Sequence, residues 1–269
     1  LFPYTTLFRS MEFQLDKDWR LQPIKGATGQ TYMGIKETEK VFIKRNTSPL
    51  LAALSKEGLA PKMIWTKRTA NGDVLTAQEW LEGRLLHADE IGKRNDVIDV
   101  LYQLHHSNLL KDMLKKIGGE VCTPLTMLKE YKRQLPKELK RNSYLKEVIT
   151  YLYNHLPEYP ETSYVAVHGD VNHRNWLVSN NYLYLVDWDS VMVADPAVDL
   201  GMILSHYVPR SGWNQWLLSY GLIPNESTVQ RIYWYGLFSF LQEIVRHHQE
   251  GERRAMTAEI LQLKRMFSS

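Results

Sequence analysis

The pattern of apolar and polar positions changes once along the chain. Between Trp19 and Trp80, short apolar runs are separated by turn residues, and this alternation predicts β-strands. The predicted strands are Thr31–Ile35, Lys40–Lys44, Met63–Lys67 and Val74–Trp80. The pair Asn71-Gly72 predicts a hairpin turn, because both residues tolerate positive φ at low cost. A helix is predicted over Ser48–Leu59, between the second and third strands.

After Gly83 the apolar positions recur at helical spacing. The predicted helices are Asp89–Ser107, Pro124–Lys132 and Tyr144–Leu156, and the chain beyond Asp195 is again helical. Between Tyr164 and Trp188 strands return, with Asn180-Asn181 as a tight turn joining two of them. The sequence therefore predicts an α+β, two-lobed fold of the protein kinase type, with a small antiparallel-sheet N-lobe and a larger, mostly helical C-lobe.

Composition is that of an ordinary globular protein. Of 269 residues, 44% are apolar and 23% charged, which argues against disorder and fibrous repeats. The net charge of +3 is too small to predict a nucleic-acid partner, although a mild basic excess suits a protein that binds anionic nucleotides. Cys122 is the single cysteine, which fits a reducing compartment. Since no apolar run approaches the roughly 18–20 residues of a membrane span, we expect a cytoplasmic protein with no membrane partner.

The first ten residues, LFPYTTLFRS, do not match the pattern that follows them. They lack a basic segment before an apolar stretch, so they do not predict a signal peptide. We interpret residues 1–10 as a foreign leader and Met11 as the natural start, and we exclude the leader from the fold prediction.

The most informative residues flank the predicted hairpin. They are HGDVNHRN, from His168 to Asn175, and VDWD, which contains Asp187. Phosphoryl transfer needs a carboxylate that orients the attacking hydroxyl and accepts its proton, together with metal ions that neutralise the phosphates. Asp170 can supply the carboxylate, and Asn175 and Asp187 can supply oxygen ligands for Mg²⁺ from the two sides of the hairpin. The alternative is that both aspartates are ordinary turn and strand-end acids.

HGDVNHRN, VDWD and DPAVDL together resemble the catalytic core of the aminoglycoside phosphotransferase and choline kinase superfamily. The similarity covers most of the chain from about Gln22 onward. HGDVNHRNWL and LVDWDSVMVADPAVDLGM most resemble the branch of bacterial cell-cycle regulator kinases called CcrZ or YtmP. The resemblance implies that Asp170 is the catalytic base and that Asn175 and Asp187 bind magnesium.

Three further polar residues of these motifs are expected to be structural. By analogy with kinase-like folds, His168 should brace the metal-binding segment through packing and hydrogen bonds. Asp195 precedes Pro196, a favourable first helical residue, and is therefore predicted to be a helix N-cap. Asp199 resembles a family position that ties this helix to the catalytic loop.

The N-lobe is expected to bind the nucleotide. Lys44 lies where the family's phosphate-binding lysine is found, although a surface lysine at a strand end is the alternative. Gly26 and Gly29 would let the backbone approach the phosphates, but ordinary turns use the same residues. The family pairs its lysine with a Glu on the following helix. Here Glu57 lies late in that helix, so the partner of Lys44 is left unassigned.

Residues 78–83 resemble the hinge between the lobes. The adenine edge is expected to bond to backbone groups near Glu79 and Leu81. These assignments predict a nucleotide-binding lobe over residues 11–82 and a catalytic and substrate lobe over residues 83–269, with ATP and Mg²⁺ as cofactors.

Aromatic residues after Leu200 are candidates for the acceptor site. They are Trp213, Trp216, Tyr220, Tyr233, Trp234 and Tyr235. Core packing is the favoured interpretation for most of them, and Trp188 is the better candidate for lining the site. The few acids before Glu243 argue against polycationic aminoglycosides. The branch resemblance favours a ribose- or deoxyribose-containing acceptor, with choline or a similar amino alcohol next.

The sequence thus supports two hypotheses about function. The first is an active small-molecule kinase that transfers the γ-phosphate of ATP to a hydroxyl acceptor. The second is a regulatory protein that binds nucleotide through a kinase fold and contacts cell-division or replication-control proteins. A degraded kinase normally loses its base or a metal ligand, whereas this chain keeps Asp170, Asn175 and Asp187, so the first is favoured.

Overall fold

The structure is a computed structural model that describes residues 19–24, 31–119 and 121–268. The chain divides into two compact units, Leu1–Leu81 and Glu82–Ser269. The boundary expected from the sequence lies between residues 82 and 83. The proposed leader, Met11, Gly26 and Gly29 lie outside the described residues.

The described part of the first unit is an antiparallel sheet with one helix. The elements are β1 (Arg20–Pro23), β2 (Thr31–Lys36), β3 (Glu39–Arg45), α1 (Leu50–Lys56), β4 (Met63–Arg68) and β5 (Val74–Glu79). The strand order is β1-β2-β3-β5-β4. Val41 and Ile43 of β3 and Leu75 and Ala77 of β5 are fully buried, because alternate residues of each strand face the same side.

All four strands predicted in this unit are confirmed, each with one or both ends shifted by one residue. The predicted helix Ser48–Leu59 is shorter, because α1 begins after Pro49 and ends before Glu57. Gly58 follows with a left-handed φ of 73°, which a continuing helix cannot accommodate. The predicted position of α1 is therefore correct, but its predicted length is too great.

The second unit carries most of the helices among the described residues. Its elements are β6 (Arg84–Leu85), α2 (Ala88–Ile91), α3 (Asn95–His106), α4 (Asn108–Lys116), β7 (Val121–Cys122), α5 (Pro124–Gln134), α6 (Lys137–Lys140), α7 (Ser143–Asn154), β8 (Val165–Val167), β9 (Trp176–Ser179), β10 (Tyr182–Leu185), β11 (Met192–Ala194), α8 (Ala197–Tyr207), α9 (Trp213–Tyr220), α10 (Glu226–Gln249) and α11 (Arg253–Phe267). Two small sheets have the orders β10-β9-β6 and β7-β11-β8. Among the helices of the described ranges, none combines the length and apolar composition that crossing a bilayer requires.

The centre of this unit is the packing of α8 against α10. Nearly the whole of α8 from Ala197 to Leu204 is buried. A Cβ atom added to Gly201 would lie 2.7 Å from Tyr235 Cβ, and one added to Gly236 would lie 2.9 Å from Ser205 Cβ. The two glycines therefore allow the helices to approach more closely than any larger residue would permit.

Two helix boundaries differ from the sequence prediction. The predicted helix Asp89–Ser107 is split into α2 and α3, because Arg94 is extended at φ −100° and ψ 126°. Ile91 and Val97 are fully buried on either side, so the apolar pattern continues across the break and hides it. The helix α8 has Pro196 rather than Asp195 at its N-cap, although Asp195 Oδ1 still accepts the Ala197 N–H at 2.8 Å.

The β9–β10 hairpin confirms the predicted Asn180-Asn181 turn. Both asparagines are left-handed, with φ of 50° and 64°, which is the conformation of a type I′ turn. The register pairs Ser179 with Tyr182 and Trp176 with Leu185. This pairing fixes where the chain re-emerges after β10, two residues before Asp187.

Substitution of Asn181 tests the turn. The Asn181→Val variant should lose about 1–2 kcal/mol of unfolding free energy, because a β-branched residue resists the left-handed region. The Asn181→Gly variant should be at least as stable as the wild type. Urea unfolding followed by circular dichroism measures both, with Tyr182→Val as the control at a strand position that is 69% exposed. Equal losses for valine and glycine would contradict the turn assignment.

Candidate active site

The candidate catalytic loop joins β8 to β9 and begins with a turn that only glycine can make. Gly169 has a φ of 79°. A Cβ atom there would lie 2.6 Å from Ser190 O and 2.8 Å from Met192 Cε. The loop therefore passes directly against the segment that follows Asp187, and this contact explains the glycine of the HGD motif.

Asp199 anchors the start of this loop. It is fully buried, its Oδ2 accepts the His168 N–H at 2.8 Å, and its Oδ1 accepts the Gly169 N–H at 2.8 Å. His105 Nε2 lies 3.0 Å from Oδ2, and His105 Nδ1 lies 2.7 Å from the Tyr220 hydroxyl. Burial alone would raise the pKa of Asp199, but the hydrogen bonds and the nearby imidazoles hold it below its ordinary value. The predicted role of Asp199, tying α8 to the candidate catalytic loop, is confirmed.

His168 braces the segment on the other side of the hairpin. Its Nε2 lies 3.0 Å from Val186 O, and its ring packs edge-on against Trp188 with centroids 4.7 Å apart. Its Nδ1 accepts the Asp170 N–H at 3.3 Å. Burial lowers the pKa of this imidazole, so the neutral form that donates from Nε2 and accepts at Nδ1 is favoured. The structural role expected for His168 is confirmed.

Asp170 lies between two asparagine side chains. Asn172 Nδ2 donates to Asp170 Oδ1 at 2.5 Å, and Asn175 Nδ2 donates to Asp170 Oδ2 at 3.0 Å. Asn175 Nδ2 also lies 2.8 Å from the backbone oxygen of Asp170. Each carboxylate oxygen thus has one fixed donor and keeps lone-pair capacity for a further proton. This arrangement suits a general base whose orientation is set in advance.

Asn175 and Asp187 are brought together by the backbone of the hairpin. The Val186 N–H donates to Asn175 O at 2.9 Å, which sets Asp187 beside Asn175. Because Asn175 Nδ2 is engaged by Asp170, Oδ1 is left as the atom that can coordinate a cation. A carboxylate and a carboxamide oxygen on adjacent segments are ligands that Mg²⁺ accepts, so the residues fit the metal implied by the sequence.

Asp187 has a backbone conformation that the sequence did not reveal. The region in which strands were predicted, Tyr164 to Trp188, includes Asp187, but β10 ends at Leu185 and Asp187 is left-handed, with φ of 62° and ψ of 67°. Such a conformation costs about 1–3 kcal/mol and tends to occur at functional sites. Asp187 is exposed, and its backbone conformation is one that is locally unfavourable for a residue other than glycine.

Tyr207, at the end of α8, contacts the loop from a third direction. Its hydroxyl accepts the His173 N–H at 2.9 Å and lies 3.2 Å from His173 Nδ1. Burial raises the pKa of this phenol, so it remains protonated. Tyr207 could not be recognised from the sequence, because it lies 34 residues from its partner and belongs to no motif.

A chain of paired charges from α10 reaches the same loop. Arg246 bonds to Glu243 through two contacts, one of them Nε to Oε1 at 2.9 Å, and its NH1 lies 2.8 Å from Glu250 Oε2. Arg174 NH1 lies 3.9 Å from the same Glu250 oxygen. Both carboxylates are therefore already paired with guanidinium groups.

Most of the aromatic residues after Leu200 belong to the core, as favoured from the sequence. The buried ones are Trp213, Trp216, Tyr220, Trp234 and Tyr235. Tyr233 is partly buried, and its hydroxyl donates to Met266 O at 3.1 Å. Trp188 is also partly buried, with Nε1 donating to Leu185 O at 2.9 Å. The buried rings are packed in the core and therefore do not form an aromatic cage for an acceptor.

The predicted nucleotide-binding residues lie in or next to the first unit. Lys44 is partly buried on β3, in register with Thr31 and Thr76 of the neighbouring strands. Glu79 is exposed at the end of β5, and its N–H donates to Lys62 O at 2.8 Å. Leu81 is partly buried at the end of the unit. Their nucleotide-binding roles remain predictions, as do those of Gly26 and Gly29.

Comparison with known proteins gives one family. The model of the phosphotransferase enzyme family matches residues 43–225, more than half of the chain. The choline kinase LicA from Streptococcus pneumoniae aligns with a TM-score of 0.63 and 15% identity, over 91% of this chain and 93% of that one. A choline/ethanolamine kinase family protein from Mesorhizobium loti aligns with a TM-score of 0.62 and 15% identity, over 93% of this chain and 88% of that one. The GDP complex of aminoglycoside 2'-phosphotransferase-IIIa aligns with a TM-score of 0.59 and 11% identity, over 96% of this chain and 94% of that one. At these identities the likeness shows a shared fold, and the predicted kinase-like fold is confirmed.

Substitution of Asp199 tests the anchor of the loop. The Asp199→Asn variant should lose about 3 kcal/mol of unfolding free energy, because an amide group replaces one of the oxygens that accept buried N–H groups. Chemical denaturation measures the loss. Asp99→Asn, an exposed acid on α3, is the matched control and should change stability by less than about 0.5 kcal/mol. Equal stability of the two variants would contradict the assignment of Asp199 as the anchor of the loop.

Proposed function

The chain belongs to the phosphotransferase enzyme family, and from that premise we propose that it is an active kinase that uses ATP and Mg²⁺ to phosphorylate a hydroxyl group of a small molecule. The observation that carries the proposal is the Asp170 carboxylate, held by Asn172 and Asn175 next to the segment of Asp187. Unlike the fully buried Asp199, Asp170 is only partly buried, so its oriented carboxylate remains within reach of a substrate, and the adjoining hairpin also presents the exposed carboxylate of the left-handed Asp187.

In the proposed reaction, Asp170 accepts the proton of the acceptor hydroxyl. The hydroxyl oxygen forms a bond to the γ-phosphorus of ATP. The bond between that phosphorus and the β–γ bridging oxygen breaks, and ADP leaves with the electron pair. Magnesium, when bound, neutralises charge on the phosphates, and Asn175 Oδ1 and the Asp187 carboxylate would hold it.

The remaining nucleotide contacts come from the residues predicted in the sequence. Lys44 is proposed to bind the phosphates as a point charge. Backbone groups at Gly26 and Gly29 would contact the phosphates, and those at Glu79 and Leu81 the adenine. These roles rest on the family pattern and on the place of Lys44 in β3.

The acceptor is proposed to be a neutral, hydroxyl-rich molecule that contains ribose or deoxyribose, with an amino alcohol such as choline as the second choice. Glu243 and Glu250 are paired with Arg246, so they offer little net negative charge to a polycation. Paired carboxylates and guanidinium groups still offer donors and acceptors to hydroxyl groups. The resemblance to the CcrZ and YtmP branch supports a role in the cell cycle. The scaffold alternative, which contacts cell-division or replication-control proteins, is less favoured because the base and both ligand residues are present.

Turnover across an acceptor panel tests the proposal. ADP release from ATP and Mg²⁺ should depend on one class among ribose, deoxyribose, nucleosides, choline, ethanolamine, thiamine and aminoglycosides. The Asp170→Asn variant should lose about 10²–10⁴-fold in rate, because it lacks the base. Asp112→Asn, an exposed acid on α4, is the control and should keep the wild-type rate.

Two outcomes separate the hypotheses. Turnover that depends on the acceptor and is lost in Asp170→Asn supports the kinase. Calorimetry that shows ATP bound equally with and without magnesium, together with no turnover above the Asp170→Asn level, would contradict it and favour the scaffold.

A further inference from the structure

Asn172 is a polar residue of the loop that the family motif does not assign. It is only 2% exposed. Its Nδ2 donates to Asp170 Oδ1 at 2.5 Å, and its Oδ1 accepts the Arg174 N–H at 3.0 Å. Resting on the proposed function, we infer that Asn172 is a positioning residue that sets the orientation of the catalytic carboxylate.

The orientation of the Asn172 side chain is dictated by the backbone. A backbone N–H can only donate, so the atom facing Arg174 N must be the amide oxygen. That oxygen caps the short 3₁₀ turn His173–Asn175, as asparagine does in Asx turns. Once the oxygen is fixed there, the amide nitrogen faces Asp170. The turn therefore determines which end of the amide meets the base.

Asn172 and Asn175 act on different oxygens of the carboxylate. The last torsion of an aspartate is broad, so a single donor leaves the carboxylate free to rotate. With one donor on Oδ1 and another on Oδ2, the plane of the group is defined. Catalysis is sensitive to such placement, because a shift of about 1 Å can cost on the order of 10²-fold in rate.

The support of Asn172 extends to α10. Arg174 Nε lies 3.3 Å from Asn172 Oδ1, and its NH1 lies 3.9 Å from Glu250 Oε2. Glu250 is in turn held by Arg246 at 2.8 Å. The amide oxygen thus receives two donors from one residue, and that residue is tied to a helix outside the loop.

The competing explanation is that Asn172 is only a cap of the turn. Three variants separate the two roles. Asn172→Asp and Asn172→Ser keep an oxygen that can cap, since Asp and Ser are both good caps. The Asn172→Asp variant replaces the donor to Asp170 with a like charge, and Asn172→Ser shortens the side chain. Asn172→Ala removes the cap and the donor together.

The order of the three Asn172 variants in kcat should differ from their order in thermal stability. For the best acceptor of the panel, kcat should fall about 10-fold in Asn172→Ser and Asn172→Ala and about 10²-fold in Asn172→Asp, with KM for ATP unchanged. The thermal midpoint should be lowest in Asn172→Ala, which alone lacks a cap. A kcat of Asn172→Asp within twofold of the wild type would overturn the inference, because a cap alone would then explain the residue.

A second readout does not need activity. A crystal structure of the wild type should show the Asp170 carboxylate in a single orientation. In the structure of Asn172→Ser the carboxylate should be rotated, or should occupy two orientations. An unchanged carboxylate in the variant would overturn the inference even if the wild type turns over no acceptor. Absence of wild-type turnover, by contrast, would count against the proposed function, so the two failures are distinguishable.

Discussion

The buried carboxylate of Asp199 accepts the first two N–H groups of the candidate catalytic loop, and the geometry of the candidate site depends on that contact. An ionised group in the interior is tolerated only when its lone pairs are satisfied. Here the partners come from the loop and from His105 of α3, so satisfying the charge also fixes α3, α8 and the loop relative to one another. A neutral side chain could fill the same space without requiring this arrangement.

From that anchor the remaining contacts follow in sequence along the loop. His168, held by its own N–H, directs its ring towards Val186 O and Trp188, which fixes the segment of Asp187. Gly169 then turns the chain against Ser190, and Asp170 emerges between two asparagines. The left-handed Asp187 lies between two residues that His168 contacts: Val186, through its carbonyl oxygen, and Trp188, through its ring.

Local patterns predicted many of the elements but missed others, such as β1 and α4, and they failed where the outcome depends on distant contacts. The Asn180-Asn181 turn and the strands of the first unit follow from short-range preferences, and both are confirmed. The break between α2 and α3 is hidden because buried residues continue across it. Tyr207 contacts His173 across 34 residues of sequence, and no spacing rule connects the two. The left-handed backbone of Asp187 is likewise not signalled by the apolar run of residues 183–186 that precedes it.

The burial of the aromatic residues bears on how an acceptor could be selected. Trp213, Trp216 and Tyr220 pack in the core, so they contribute stability to the unit and little surface to a ligand. The groups left near the loop are ionic and largely paired with one another, as in the chain from Arg174 through Glu250 to Arg246. A cation would have to compete with guanidinium groups for those carboxylates, whereas a hydroxyl group can share them without displacing either partner. The proposal of a hydroxyl-bearing acceptor that is selected by hydrogen-bond geometry rests on this pairing of charges.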